Sequence, residues 1–526
     1  MQKFIAKFEH LIQGVISGAD RLVFRGSLRA IQYPFGMRGY LWHKRVLLKD
    51  FGSYAKRVTD QIKEASLAEA RRLNRPIQYL NSSKIDKKAL AEEIAKRDGI
   101  ENSLICVLSC VEPCLSFDVG PNPEKKQLEV KRRLRKCLFL YHYWMHPMFG
   151  FMSARIQTWY PFQVQIYLNG REWLAQQMKQ AGVEYVRQEN CFPWVQDYAR
   201  AQSLMDEQLK TNWPQELESI AQHLNPVHGE IFEQFPANYY WSVIESEWAT
   251  DVGFRGGVEL KRLFPLLVEH GMLRFSSSDV MRFLGHAVMA EGEVHGNFKG
   301  EITTDLKRRA EGARVKHRVD QNSVKMYDKA HRTVGSVLRV EMTMNNEKAF
   351  RVYRGNEGEP NGKKSWKRMR RGLADLHRRG EVSQKVNERY LDALASVDDS
   401  ARLRQILEPV EKRKQWKGRS VRALHPFSAD DSALLEIVSR GEFMIGGLCN
   451  RDVRDRLFTS PTSNAREVKR RSALVSRKLR LLRTHGILRK IKGRNLYQVS
   501  DAGRTFLTTF LLAREASAKQ LIQKAA

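Results

Sequence analysis

The sequence predicts a multidomain α+β protein, with mixed α/β N-terminal and central domains containing antiparallel sheet and a C-terminal module of three helices, a hairpin and a last helix. Three observations predict it. The chain has 526 residues, enough for three or four domains of ordinary size. It is 42% hydrophobic and 10% aromatic, the apolar stock of a chain that folds around cores. The apolar pattern also switches repeatedly between the strand period of two and the helical spacing of three and four.

Taken in order, VFRGSL reads as a short strand, DFGSYAKRVTDQIKEASLAEARRL and DKKALAEEIAKRD as amphipathic helices, and SLICVLSCVEPCLSFDV as a mostly buried strand. A turn cluster at Gly120, Pro121 and Pro123 follows, with a basic run behind it. Residues 136–182 pack aromatic and β-branched residues around turns and end in a helix closed by Gly182. The stretch from Gln202 to Phe283 is mostly helical in pattern, with Tyr239, Tyr240 and Trp241 as an aromatic cluster. Three alternating segments between Phe298 and Met344 predict a three-stranded meander, and one or two helices follow. The boundaries fall at 1–135 for an α/β domain, 136–297 for an aromatic-rich α+β domain, 298–400 for a basic meander with helices, 401–428 for a basic linker, 429–515 for the C-terminal module and 516–526 for a tail.

Charge narrows the partner. Lys and Arg number 90 against 59 Asp and Glu, a formal net charge of +31. Nucleic acid is the partner this favours, because cations that neutralise phosphates release counterions. No run approaches the 18 apolar residues of a membrane span, and the start is broken by Lys7, Glu9 and His10, so neither a spanning helix nor a secretory segment is expected. With six cysteines a disulfide framework is not expected either, and the cytoplasm is the default. Cys106, Cys110 and Cys114 read as buried thiols, and His142 and His146 as strand and turn residues. No P-loop, dinucleotide fingerprint, serine elbow or HExxH motif occurs.

The C-terminal module carries Ser476, Arg477, Leu479 and Leu482 on a basic helix, His485 and Gly486 at its end, Ile487, Leu488 and Lys490 on a strand, Tyr497, Val499 and Ser500 on its partner, and Gly503 and Arg504 on a last helix. Over about 80 residues this resembles the winged-helix family. The helix can lay Leu474, Leu479 and Leu482 on the core while Lys469, Arg470, Arg471, Arg477, Lys478 and Arg480 stand outside, as a major-groove helix needs. The resemblance implies a wing turn that brings Lys492 and Arg494 to the backbone or minor groove.

A second basic region supplies Arg314, Lys316, Arg318, Lys325, Lys329, Lys367, Arg368, Arg370 and Arg371. Strand alternation puts Arg314, Lys316 and Arg318 on one face, a phosphate-tracking surface with Tyr327 and Tyr353 available to stack on bases. The string NSVKMYDK, with VLRVE after it, resembles paired strands of plasmid and phage replication-initiation proteins. That resemblance implies Tyr327 as nucleophile, Asp328 and Glu341 as candidate metal ligands, and Mg²⁺ as cofactor of a nicking enzyme. Glu245, Glu247 and Asp251 are a second carboxylate set of that kind, whose simpler reading is salt bridging to Arg255 or Arg282. No cofactor is expected otherwise. The expected function is nucleic-acid binding in a mobile element or a replication or recombination system; a metal-dependent nuclease and a binder of a large structured RNA are the alternatives.

Overall fold

The computed structural model describes residues 1–286, 288, 298–309, 312–332, 334–356, 362–397, 406–440, 443, 447–458, 460, 462–491 and 495–515. The chain forms two compact units built from separated segments. Met1–Gly14, Asp251–Met342 and Lys385–Ala526 make the first, and Val15–Thr250 with Thr343–Gln384 make the second. The class is α+β, as the sequence predicts. Among the described residues no helix is long and apolar enough to cross a membrane.

Along the chain come β1 (Ile12–Leu28), β2 (Ile77–Leu80), β3 (Leu104–Asn122), β4 (Gln127–His146), β5 (Gly150–Gln157), β6 (Val164–Asn169), the hairpin β7 (Tyr185–Gln188) and β8 (Cys191–Val195), and then β9 (Tyr239–Phe254). In the second unit the order is β9-β1-β6-β5-β4-β3-β2. β2 runs parallel to β3, and the pairs from β3 through β4, β5 and β6 to β1 are antiparallel. Alternation puts Leu22, Phe24, Ala154, Ile156, Val164 and Ile166 on one face, where they bury against helices Phe51–Arg72, Gly170–Gln180 and Trp213–Leu224. The first of these helices buries Phe51, Ala55, Val58, Ile62, Ser66 and Ala70, the three- and four-residue spacing that makes one stripe. On the other face, helix Lys87–Arg97 covers Tyr143 and Phe151 with Ala91, Ile94 and Ala95.

Two expectations change here. The segment read as a short strand is the C-terminal end of the 17-residue β1. The helical reading of Gln202–Phe283 gives way in its centre to the 16-residue β9. Its alternation is masked in the sequence because Glu245 and Glu247 continue the series begun by Trp241 and Val243.

In the first unit the order is β10 (Ile302–Arg309), β11 (Gly312–Val319), β12 (Asn322–Arg332), β13 (Gly335–Met344) and then β9. The meander therefore has four strands rather than three. Asp320, at φ +51°, and Gln321 close a two-residue turn that splits one predicted segment into β11 and β12. The hairpin β14 (Arg351–Arg354) and β15 (Ser365–Arg368) belongs to the second unit. Within the stretch expected to be a linker, Lys417 and Gly418, both at positive φ, turn the chain between β16 (Lys414–Trp416) and β17 (Arg419–Val421).

The C-terminal segment folds as helices Ala429–Ser439, Asn450–Leu457 and Ala465–Thr484, the hairpin β18 (Leu488–Lys490) and β19 (Tyr497–Val499), and helix Asp501–Glu515. Leu434, Leu435, Val438, Val453, Val475, Leu479, Leu482, Ile487, Val499, Phe506 and Phe510 close one core. Gly486, at φ +80°, ends the long helix, and a Cβ on Gly503 would stand 2.2 Å from the Ile487 carbonyl oxygen, so only glycine lets the last helix approach.

Buried histidines make the first unit acid-sensitive. His317 bonds to the Tyr390 hydroxyl through Nε2 at 2.9 Å and to Thr304 through Nδ1 at 2.9 Å, and burial pushes its pKa down to about 3. His270, 3.0 Å from the Ser396 hydroxyl, is pushed to about 3 by burial as well. Both folded values lie below the unfolded value of about 6.5, so their contribution is complete above that pH and is lost as pH falls toward 3. We expect unfolding free energy to drop between pH 6.5 and 3 by up to about 1.4 kcal/mol per pH unit for each histidine. Urea titrations at pH 7, 5 and 4 measure the slope, which His317→Gln should make shallower.

Candidate nucleic-acid interface

The long helix of the C-terminal module starts where the Asn464 side chain accepts from the backbone N–H groups of Arg466 and Glu467. Its buried stripe is Val475, Leu479 and Leu482; Leu474, expected in the core, is only half-buried. At about 3.6 residues per turn, Lys469, Arg477 and Arg480 fall on roughly the opposite side. All three are exposed, and among the described residues none is in an ion pair.

The other cations of this helix are engaged. Arg470 and Arg471 both bond to Glu467, at 2.7 and 2.9 Å, and those bonds hold the Glu467 carboxyl down at about 2. Arg471 also donates to the Ser460 carbonyl and lies over the Phe458 ring. Lys478 does not stand outside: its side chain is buried, with Nζ 2.6 Å from Asp430. Lys492 and Arg494 lie outside the described residues, while Arg489 and Lys490 on β18 are exposed.

On β11, Arg314, Lys316 and Arg318 alternate with buried Val315, His317 and Val319. Arg314 stands opposite Tyr327, Lys316 opposite Lys325 and Arg318 opposite Ser323 on β12. Burial first, and then the neighbouring Lys325 charge, push the Lys316 pKa down. Arg318 pairs with Glu301 at 2.9 Å. Tyr327 is buried rather than available for stacking: its hydroxyl donates to Glu341 Oε2 at 2.6 Å, with Lys329 over the ring and Lys325 Nζ 2.6 Å from Glu341 Oε1. Burial works to raise the Glu341 pKa, but the charges of Lys325 and Arg339 outweigh it and hold the carboxyl below its ordinary range. The string KxYxK and the Arg and Glu of VLRVE thus meet in a buried polar cluster.

In the second unit, Tyr353 and Trp366 face each other across the hairpin β14/β15 with ring centroids 5.8 Å apart, and they are 55% and 66% exposed. Arg351 and Arg368, paired in the same hairpin, flank them, and Lys367 bonds to the Asn356 side chain. Two exposed rings among cations have the chemistry to stack on unpaired bases. Trp366 was visible only as one aromatic inside a basic run. Arg370 sits 3.5 Å from Asp375, and Arg371 2.9 Å from Glu347.

The carboxylates of β9 have partners other than Arg255 and Arg282. Glu245 pairs with Arg21 at 2.5 Å, Glu247 accepts from the Thr343 hydroxyl at 3.3 Å, and buried Asp251 takes Arg339 bidentately at 2.5 and 2.8 Å. Asp328 is buried. Asp20, which no sequence motif singles out, brings a carboxylate oxygen within 4.8 Å of one on Glu247. Oxygen donors of this kind suit a hard divalent cation. No family model, curated protein or solved structure matches this chain.

Proposed function

We propose that the chain is a nucleic-acid-binding protein of a mobile element or a replication or recombination system. In this reading it docks on duplex DNA through a C-terminal winged helix and holds a second stretch on its basic central strands and hairpin. The observation that carries the reading is the helix Ala465–Thr484, apolar on one side and presenting on the other Lys469, Arg477 and Arg480, which have no ion-pair partner among the described residues. Protein contacts rarely need that many solvated cations on one face, whereas phosphates and guanine edges do. The test is binding of a random duplex and of a folded RNA over a salt series. A steep fall of duplex affinity with salt supports the reading; a flat response overturns it, and strong preference for the RNA replaces DNA by RNA as partner.

A second reading, a nicking enzyme, has one observation in its favour: the Glu341 carboxylate is placed to accept the Tyr327 hydroxyl proton. Tyr327→Phe separates the two. For a packing tyrosine we expect a loss of about 0.5–1.5 kcal/mol in stability, or more if the buried carboxylate is left short of a donor, and unchanged duplex affinity. For a nucleophile, Mg²⁺-dependent relaxation of supercoiled plasmid by the wild-type chain should vanish in the variant.

A further inference from the structure

The face of the second unit's sheet that helix Lys87–Arg97 covers in part also carries a polar row that runs directly across four strands. Arg25 on β1 stands opposite Gln165 on β6, Gln165 opposite Arg155 on β5, and Arg155 opposite Tyr141 on β4. Their neighbours in sequence, among them Phe24, Ile166 and Ala154, point to the opposite, helix-covered face. Over this row lies a cavity of about 280 Å³ lined by Arg25, Arg132 and Arg155, by four glutamines, and by Glu112 as its one carboxylate among the described residues.

The charges in this cavity do not balance. Arg155 is satisfied, donating to Glu112 at 3.0 Å, to the Tyr141 hydroxyl at 2.9 Å and to Gln165 at 2.8 Å, and Lys87 also pairs with Glu112 at 3.2 Å. Among the described residues Arg25 and Arg132 meet no carboxylate. Arg25 is half-buried, and burial followed by the charges of Arg371 and Arg155 pushes its pKa down. Arg132 has its guanidinium 5.8 Å from the centre of the Tyr33 ring, which is 63% exposed, and its Nε is buried without a partner. Keeping like charges together away from water costs free energy unless an anion joins them.

We propose that this cavity binds the phosphate of a nucleotide. The phosphate sits between the guanidiniums of Arg25, Arg132 and Arg155, whose planar forks suit its oxygens. The glutamine amides offer donors and acceptors to the sugar and base, and Tyr33, whose exposed ring lies beside the Arg132 guanidinium, offers a stacking surface. A volume near 300 Å³ is the small end of ligand cavities, the size of a mononucleotide rather than a longer ligand. The proposal is independent of how the C-terminal module docks, because every residue in it belongs to the second unit.

The full chain is titrated calorimetrically with adenosine, adenosine 5′-monophosphate, inorganic phosphate, and one single-stranded oligonucleotide with and without a 5′-phosphate. The phosphate-bearing probes should bind and adenosine should not. Preference for the free monophosphate identifies a soluble nucleotide as the source; an advantage of the 5′-phosphorylated oligonucleotide over its hydroxyl form identifies a strand end. Arg25→Gln and Arg132→Gln should each weaken binding by about tenfold or more, the loss of one charge-assisted hydrogen bond. Arg25→Gln removes a repelled charge, so its thermal midpoint without ligand should hold or rise, while the rise produced by adenosine 5′-monophosphate should disappear. Equal binding by wild type and Arg25→Gln, or no binding of any phosphate-bearing probe, overturns the proposal.

Discussion

Asp251→Asn is expected to lower the unfolding free energy of the first unit by about 3–5 kcal/mol, the cost of leaving a buried charge without its partner. Arg339 is fully buried in β13, where every residue is buried, and both oxygens of Asp251 receive its guanidinium at 2.5 and 2.8 Å. An amide keeps the shape of the carboxylate but removes the charge and one of the two acceptors. Other interactions of Arg339 remain in the variant, so the loss should fall within that range rather than exceed it. The double variant Asp251→Leu with Arg339→Met removes both charges, and we expect it to regain much of the loss because two apolar side chains of similar length can fill the site. Urea denaturation of the three proteins measures both steps. A single variant as stable as wild type would show that the ion pair contributes nothing, and would return Asp251 to the set of carboxylates open to a metal.

Asp251 also illustrates what could be read from the residues in order. Glu245 and Glu247, two apart in IESEWATD, share a face if the segment is a strand, and β9 carries them so, although the stretch as a whole reads as helical. Their partners and that of Asp251 could not be read, because Arg21, Thr343 and Arg339 are brought to β9 by strands whose register depends on the whole sheet. Local signals fared better. The stripe of helix Phe51–Arg72 and the alternation of Arg314, Lys316 and Arg318 on β11 are each decided within a few residues by helix and strand periodicity. The turn at Asp320 was missed because its only signal is a residue that tolerates positive φ, and the turn at Lys417–Gly418 because a basic run hid a glycine pair position. In the candidate interface, the cations were legible as a set but not as individuals. Lys478 differs from Arg477 in having a partner, because the fold brings Asp430, 48 residues away, to its ammonium. The row from Arg25 to Tyr141 was invisible, since it joins residues spread over more than 100 positions through three strand registers.

That difference between neighbours on one helix supports the sharpest test of duplex docking. The triple variant Lys469→Gln, Arg477→Gln and Arg480→Gln removes exposed charges that form no ion pair among the described residues, so its stability should stay within about 0.5 kcal/mol of wild type. If each side chain neutralises one phosphate, the slope of log affinity against log salt should become shallower by about 3, since each contact contributes about 0.9 on duplex DNA. Affinity near 0.1 M salt should fall by roughly tenfold or more, uniformly across sequences wherever the contacts are to phosphate alone. Lys478→Gln is the matched control, because its side chain is only 9% exposed and its ammonium is held by Asp430. It should leave the salt slope untouched while lowering the unfolding midpoint, the reverse of the triple variant's signature. Arg470→Gln should fall between them, since that guanidinium is exposed but shares Glu467 with Arg471. A triple variant with the wild-type slope would mean that this helix face does not meet phosphate, and the duplex would then have to be held by the cations of β11 and the hairpin β14/β15.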